Sequence, residues 1–253
     1  SWSRGLGDVY KRQAVNWTDS LPENITGVVL ANELLDAMPV HRVAWEQGKL
    51  QECYVAWDGE RFVWQVGPLS NPRLQTRFDE IIKRLGDLPD GYVTEINLAA
   101  EDWINTLSKS MQQGLVLLID YGFAQHEYYH PQRIEGTLMC HYRHRAHDDP
   151  LILVGLQDIT AHVDFTAMAD SALAADMQVA GYTTQAHFLL GSGLTELVTE
   201  EEGDAAQQLN IANQVKRLTL PQEMGELFKV MALTKNFPVN MSGFMLRDLR
   251  NSL

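Results

Sequence analysis

The sequence predicts an α/β fold built on an open sheet with its main strands parallel, and three observations predict it. Two short apolar runs, Val28 to Ala31 and Leu115 to Ile119, each stop abruptly at polar residues, as strands buried on both faces do. Helical periodicity lies between them, which is how parallel strands are joined. A stretch of alternating apolar and polar residues over 41–67 breaks that frame with a period of two, the mark of an inserted antiparallel meander.

Ser1 to Gln13, SWSRGLGDVYKRQ, has no initiator Met, no signal-peptide core and no periodicity. GLGDVYKRQ resembles translated sequencing-adapter read-through, so 1–13 is set aside as a non-native tail and the domain is expected over 14–253. GLGDVY also lacks the preceding strand and third glycine of a dinucleotide fingerprint.

The Val28 strand ends at Asn32 and Glu33, one helical turn before Asp36. Open α/β sheets bind ligands at the carboxyl ends of their strands, which makes these three residues candidates for a site. The plainer alternative is that Asn32 caps a short helix ending near Pro39 and that Asp36 is solvated. In HRVAWEQGKLQECYVAWDGERFVWQVGP the runs are separated by Gln47-Gly48 and Asp58-Gly59, the second a strong hairpin signal. Trp45, Trp57 and Trp64 cover this sheet or line a binding face.

Asn71 caps, Pro72 opens and Gly86 stops a helix whose apolar face runs through Leu74, Phe78, Ile81, Ile82 and Leu85. GYVTEI then reads as a brief strand leading to Glu95 and Asn97. The next helix places Trp103, Leu107 and Met111 on one face before Gly114. Glu95 either reaches a substrate or is a solvated or capping carboxylate. The second buried strand ends at Asp120, Tyr121 and Gly122. Crossover handedness sets it beside the first, so Asn32, Glu33 and Asp120 share a rim and a common hollow.

Phe123 to Pro150 is expected as a long polar loop of the kind that closes or lines sites. It carries His126, His130, His141, His144 and His147, then Asp148 and Asp149. Such residues ligate metals, but a spacing of three has meaning only on a helix, and Pro131, Gly136 and Pro150 argue for a loop. No metal is assigned. With Arg143 and Arg145 the stretch reads as a cationic, pH-sensitive lip for an acidic partner or a carboxylate. LVGLQDITAHVDF follows as a strand-like piece running into a helix, where Asp164 is a cap and His162 a packed residue in the plain reading. YTTQAHFLL and LFKVMALTK, separated by a helix over 204–217, suit an antiparallel pair, and Phe237 to Leu253 is expected to fray.

At 253 residues, 45% hydrophobic and 21% charged, the composition is that of a globular chain long enough for one large domain or one with an inserted subdomain. A net charge of -13 argues against nucleic acid, and no apolar run approaches the roughly 20 residues needed to span a bilayer. Cys53 and Cys140 show neither a disulfide framework nor metal spacing, which favours a reducing compartment.

ANELLDAMPVHR, LLIDYGF, YYHPQRIEGTLMCHYRHRAHDDP and DITAHVDF, in that order, resemble the MidA family of S-adenosylmethionine-dependent methyltransferases, which includes mitochondrial complex I assembly methyltransferases. The likeness runs from about Asn16 to the C-terminus. It implies the C-terminal part of a class I methyltransferase (Rossmann-like) sheet with an inserted β meander, S-adenosyl-L-methionine as cofactor, and symmetric dimethylation of a protein arginine. The family's fold carries a glycine-rich cofactor loop after its first strand and an acidic ribose-binding residue after its second. Neither is recognisable here, so the chain is expected to be truncated by roughly 60 residues, at about 30 per βα unit, and inactive alone. Its Val28 strand would then be an exposed apolar edge.

Within the site, Glu33, Asp36 and Asp120 are the carboxylates that would orient a guanidinium and localise its charge, since arginine is a poor nucleophile with a pKa above about 12. Asn32 and Glu33 fall on the cofactor side. Asn32, Tyr121, Tyr129, Arg133, His162 and Asp164 are the substrate-binding candidates, with the two tyrosines packing on the guanidinium or the adenine. The resemblance implies a protein substrate and, for a bacterial-type chain, a cytoplasmic location, mitochondrial in eukaryotic relatives; a homo-oligomer stays open. A different reading is a non-catalytic assembly module for a respiratory-complex-type partner, binding through the His/Arg loop and the meander. A nicotinamide dehydrogenase is disfavoured because no glycine fingerprint exists.

Overall fold

The computed structural model describes residues 15–253 except His144, 201–203 and Val239; the tail expected at 1–13 lies outside the described residues. Strand β1 (Ile25–Asn32) is followed by a turn and by β2 (His41–Glu46), β3 (Lys49–Trp57) and β4 (Phe62–Gly67). Helix α1 (Pro72–Leu85), β5 (Tyr92–Ile96) and α2 (Leu98–Ser110) lead into the long strand β6 (Met111–Phe123). Then come α3 (Gln125–Tyr128), β7 (Met139–Tyr142), β8 (Arg145–His147), β9 (Asp158–Thr160), β10 (Val163–Asp164) and α4 (Phe165–Ala174). The chain closes with β11 (Gln178–Thr184), α5 (Gln185–Gly191), α6 (Leu194–Glu200), α7 (Ala205–Thr219) and β12 (Phe228–Lys235).

The two apolar runs lie side by side as expected. β1 and β6 are parallel with Val28 opposite Leu115 and Asn32 opposite Ile119, and the main sheet continues β1-β6-β12-β11, with β10 also on β6. β12 runs antiparallel to both β6 and β11. Both faces are covered over the central strands β6 and β12, which is why these are apolar at consecutive positions. On one side Ile104 and Leu107 of α2 and Phe165 and Met168 of α4 pack on Val116, Leu118 and Met231. On the other, Val230, Ala232 and Phe244 form a smaller core with Leu117 and Ile119. The far edge of β1 has no partner strand among the described residues, and Val28 and Leu30 are 68% and 64% exposed there. No described helix is long and apolar enough to cross a membrane.

Helix α1 forms between its expected signals: the Asn71 side chain accepts from Arg73 N, and Leu74, Phe78 and Ile81 are buried. The meander folds as read, but its sheet is four-stranded, β4-β3-β2-β5, because β5 pairs antiparallel with β2. β5 therefore stands apart from the main sheet; alternation in YVTEI fixes a strand without fixing its partner.

Four other expectations are corrected. Residues 33–39 form a turn and no helix. The helix expected to carry Met111 ends at Ser110, and the buried Met111 opens β6. The polar loop over 123–150 holds α3, β7 and β8, and β7 pairs with β9 to make a small third sheet. The C-terminus is docked: Phe244 is buried, and Leu249 N donates to Tyr182 O at 2.6 Å.

Candidate functional site

The turn after β1 is organised by a carboxylate from β6. Asp120 Oδ2 accepts from Leu34 N at 3.2 Å, Leu35 N at 3.0 Å and Asp36 N at 3.4 Å, while Oδ1 accepts from Tyr121 N at 3.0 Å. Three successive amides pointing at one oxygen form an anion-holding nest, and closing it places Glu33 at φ 49°. With these amides held by Asp120, residues 33–39 stay a turn and do not continue as a helix. Asp120 is thus spent on the chain itself, 1% exposed beneath the turn. Burial, and then the neighbouring Asp36 charge, push its carboxyl up to about 7.

Asp36 occupies the end of that turn and is itself buried. Its Oδ2 accepts a short hydrogen bond from the Tyr121 hydroxyl. Its Oδ1 is enclosed and has no hydrogen-bond partner, although buried polar atoms are satisfied in the great majority of cases. Asp36 lines a groove of about 390 Å³ together with Met38, Arg42 and Trp64 on one side and Leu138, Leu151 and Thr160 on another. The groove thus lies between the turn, the meander and the small sheet. Trp64 does more than cover the meander: Arg42 Cζ sits 4.6 Å from its ring centre.

A second buried carboxylate holds the opposite wall. Glu95 Oε2 accepts from Thr137 N at 2.7 Å and from Thr137 Oγ1 at 3.1 Å; Oε1 is unpartnered, with Arg42 Nε 4.0 Å away. Glu95 is therefore neither solvated nor a helix cap, but a clamp on the segment before β7. Burial is the main cause of its raised pKa, with hydrogen bonds from Thr137 and the charge of Arg42 opposing.

The remaining candidates separate. Asn32 and Glu33 are exposed at the carboxyl end of β1, joined by an Asn32 Nδ2 to Glu33 Oε1 hydrogen bond of 3.3 Å; Asn32 caps no helix. Glu33 and Asp120 are neighbours, since Glu33 N donates to Ile119 O at 3.0 Å, yet it is Asp36 that reaches the groove. His162 stacks on Phe123 at 5.2 Å and meets Tyr121 edge-on at 5.4 Å. Burial, then the charges of Arg133 and Lys229, hold its pKa below the usual histidine value. Arg133 Cζ lies over the Phe123 ring, 4.6 Å from its centre.

Asp164 caps α4, accepting from Thr166 N at 3.0 Å and Ala167 N at 3.1 Å, and burial pushes it up to about 6. Tyr129 is a correction: it is buried beside Tyr128 in the core of the meander half, off the rim, because its ring fills space against Leu98 and Ile96 rather than the cleft. Arg42 and Thr137 were not singled out in the sequence. Arg42 closes the motif ANELLDAMPVHR, and its position there was the one available signal. Among the described residues no cluster of metal-ligating side chains forms, and His144 lies outside them.

The model of a family described as "Putative S-adenosyl-L-methionine-dependent methyltransferase" matches residues 7–183. The chain is similar to the protein arginine methyltransferase NDUFAF7 homolog, mitochondrial, of Drosophila melanogaster, at 28% identity over 92% of this chain and 49% of the relative. It is also similar to the protein arginine methyltransferase NDUFAF7, mitochondrial, of Danio rerio, at 26% identity over 87% and 50%. The chain spans about half the length of these curated relatives. A solved structure of a COG1565 superfamily member from Burkholderia thailandensis, bound to S-adenosyl-homocysteine, superposes with a TM-score of 0.87 at 43% identity over 94% of this chain and 61% of that one. A native structure of an uncharacterized protein of that superfamily and organism superposes with the same TM-score and identity over 94% and 63%.

Proposed function

Because the chain belongs to this S-adenosyl-L-methionine-dependent methyltransferase family, we propose that it forms the acceptor side of an active site that methylates a protein arginine. The observation that carries the reading is Asp36, a groove-lining carboxylate whose buried Oδ1 has no hydrogen-bond partner. A guanidinium supplies what that oxygen lacks, a planar fork of N–H donors and a permanent positive charge.

In this reading Asp36 accepts N–H bonds from the guanidinium, fixes its plane and localises its charge. Oδ1 also receives the proton that the alkylated nitrogen sheds. Tyr121 holds the other oxygen of Asp36, and Asp120 holds the turn on which Asp36 stands, so both are positioning residues. Glu33, open to water, contributes less because solvent screens it.

The residues present fit one wall of a cofactor site. Asn32 and Glu33 offer an exposed amide and carboxylate at the strand end where such folds bind ligands, and these two would hold the cofactor. S-adenosylmethionine, when bound, supplies a methyl group on a positively charged sulfur. The names of the curated relatives support arginine as acceptor, and we extend this to symmetric dimethylarginine, which mass spectrometry of a methylated peptide separates from the asymmetric isomer. Two free thiols, Cys53 and Cys140, agree with a reducing cytoplasm.

Fluorescence anisotropy of a labelled arginine peptide and its citrulline twin tests the acceptor site without turnover. The chain is expected to favour arginine by about tenfold, the scale of one charge-assisted hydrogen-bonded pair, and Asp36→Asn to erase the preference. Equal binding of the two peptides by the unmodified chain would overturn it. A second reading, an assembly module, draws on the exposed Val55, Trp57, Phe62 and Val66 of the meander; capture of a protein partner that is indifferent to both S-adenosylmethionine and Asp36→Asn would favour it.

A further inference from the structure

The groove that holds Asp36 does not end at Arg42. Arg42 and Leu138 also line a second cavity of about 230 Å³, whose other walls include Arg133, Thr137, Asp148 and His162. The two spaces are separated by little more than one ring, since the hydroxyl of Tyr121 is on Asp36 and its edge is on His162.

This second cavity sets two guanidiniums, Arg42 and Arg133, against two exposed acids, Glu135 and Asp148. The Nε of Arg42 and the Nε of Arg133 are both enclosed without hydrogen-bond partners. Among the described residues Arg133 makes no ion pair and rests on the Phe123 face, while the nearest carboxylate oxygen to Arg42 is 4.0 Å from its Nε. The acids at the cavity mouth, Glu135 and Asp148, are exposed, so water screens them more than it screens the partly enclosed guanidiniums. A guanidinium pair with spare donors matches a carboxylate, which accepts from a planar fork in two places.

Resting on the reading of Asp36 as the partner of the substrate guanidinium, we infer that the Arg42–Arg133 cavity receives an acidic side chain of the same peptide. The substrate then carries a glutamate or aspartate within a few residues of the arginine that enters the Asp36 groove. Arg42, standing on the boundary, contacts both parts and sets their separation. The pairing also explains how a protein of net charge -13 selects among cationic segments, all of which its overall field attracts.

A peptide scan on the unmodified chain decides this. Each peptide carries one arginine and an amidated C-terminus, with a glutamate moved in turn through every flanking position and a glutamine twin for each. At least one glutamate position is expected to bind about tenfold tighter than its twin, in line with a charge-assisted bidentate contact. That preference should vanish in Arg133→Gln, return in part in Arg133→Lys, and persist in Asp36→Asn at lower overall affinity. Twins that bind alike at every position overturn the acidic subsite while leaving the arginine-against-citrulline result standing. A preference seen only with a free C-terminal carboxylate overturns the side-chain assignment. If instead citrulline replaces arginine at no cost, the acceptor reading itself fails, whichever way the glutamate scan comes out.

Discussion

Two buried carboxylates, Asp120 and Glu95, hold the two walls of the groove, and they do so differently. Asp120 uses both oxygens on backbone amides, three of them from Leu34, Leu35 and Asp36. Glu95 uses one oxygen on Thr137 and leaves the other facing Arg42. The first is a closed fastening; the second keeps a free valence toward a charged residue of the site. Rigidity on the Asp36 side and a residual field on the Arg42 side are what a site needs if it is to fix a guanidinium on one flank and sense charge on the other.

The contrast can be broken at its stronger end first. Asp120→Ala strands four backbone amides, two of them in buried bonds, and at a typical cost of about 1–3 kcal/mol per unsatisfied buried group the loss is expected to be about 4 kcal/mol in urea unfolding. An effect below about 1 kcal/mol would mean that water replaces the carboxylate and that the turn is not held by it. Glu95→Ala strands only the Thr137 donors, so about 2 kcal/mol is expected from the same measurement. Should Glu95→Ala cost more than Asp120→Ala, the ranking of the two fastenings is reversed.

The pH dependence sharpens the comparison. Asp120 has its folded pKa raised to about 7, and Asp164 to about 6. A proton bound more tightly in the folded state contributes stability that is fully present below about pH 4 and is lost as pH rises through 6 to 7. Asp120→Asn removes one of the two losses. The stability of the variant should therefore gain on the unmodified chain between pH 4 and 7, by at most about 4 kcal/mol for a pKa raised by about three, read from unfolding curves. Parallel curves would place the Asp120 proton elsewhere in the Asp36 pair.

What was legible in the sequence follows a physical line. Leu115 to Ile119 was legible because a strand inside a covered sheet has no polar alternation to obscure it; Val28 to Ala31 was legible from its apolar run, although Val28 and Leu30 are exposed, and their pairing followed from handedness. Helix α1 was legible because Asn71, Pro72 and Gly86 carry their own local physics. The turn at 33–39 was not, because its shape is dictated by Asp120, more than eighty positions later. Glu95 and Tyr129 were misplaced for a related reason: burial depends on what packs against a residue, and neither Thr137 nor Tyr128 announces itself as that neighbour. Arg42 stood in plain view in a motif, yet an arginine at the head of a meander strand reads as surface until Glu95 and Trp64 are seen to flank it.

One contact far from the groove governs it. A side chain at Gly114 would put its first carbon 1.9 Å from the carbonyl oxygen of Gly27, so β1 and β6 can lie this close, in this alignment, only while that position stays bare. Side chains alternate between faces of a sheet, and slipping one strand past the other by a single residue would swing Asp120 to the wrong side of the turn it secures. The accuracy of the proposed acceptor site is thus calibrated about 20 Å away, at six residues of roughly 3.3 Å rise each. Drift at Gly114 would misalign the chemistry without altering any group that performs it.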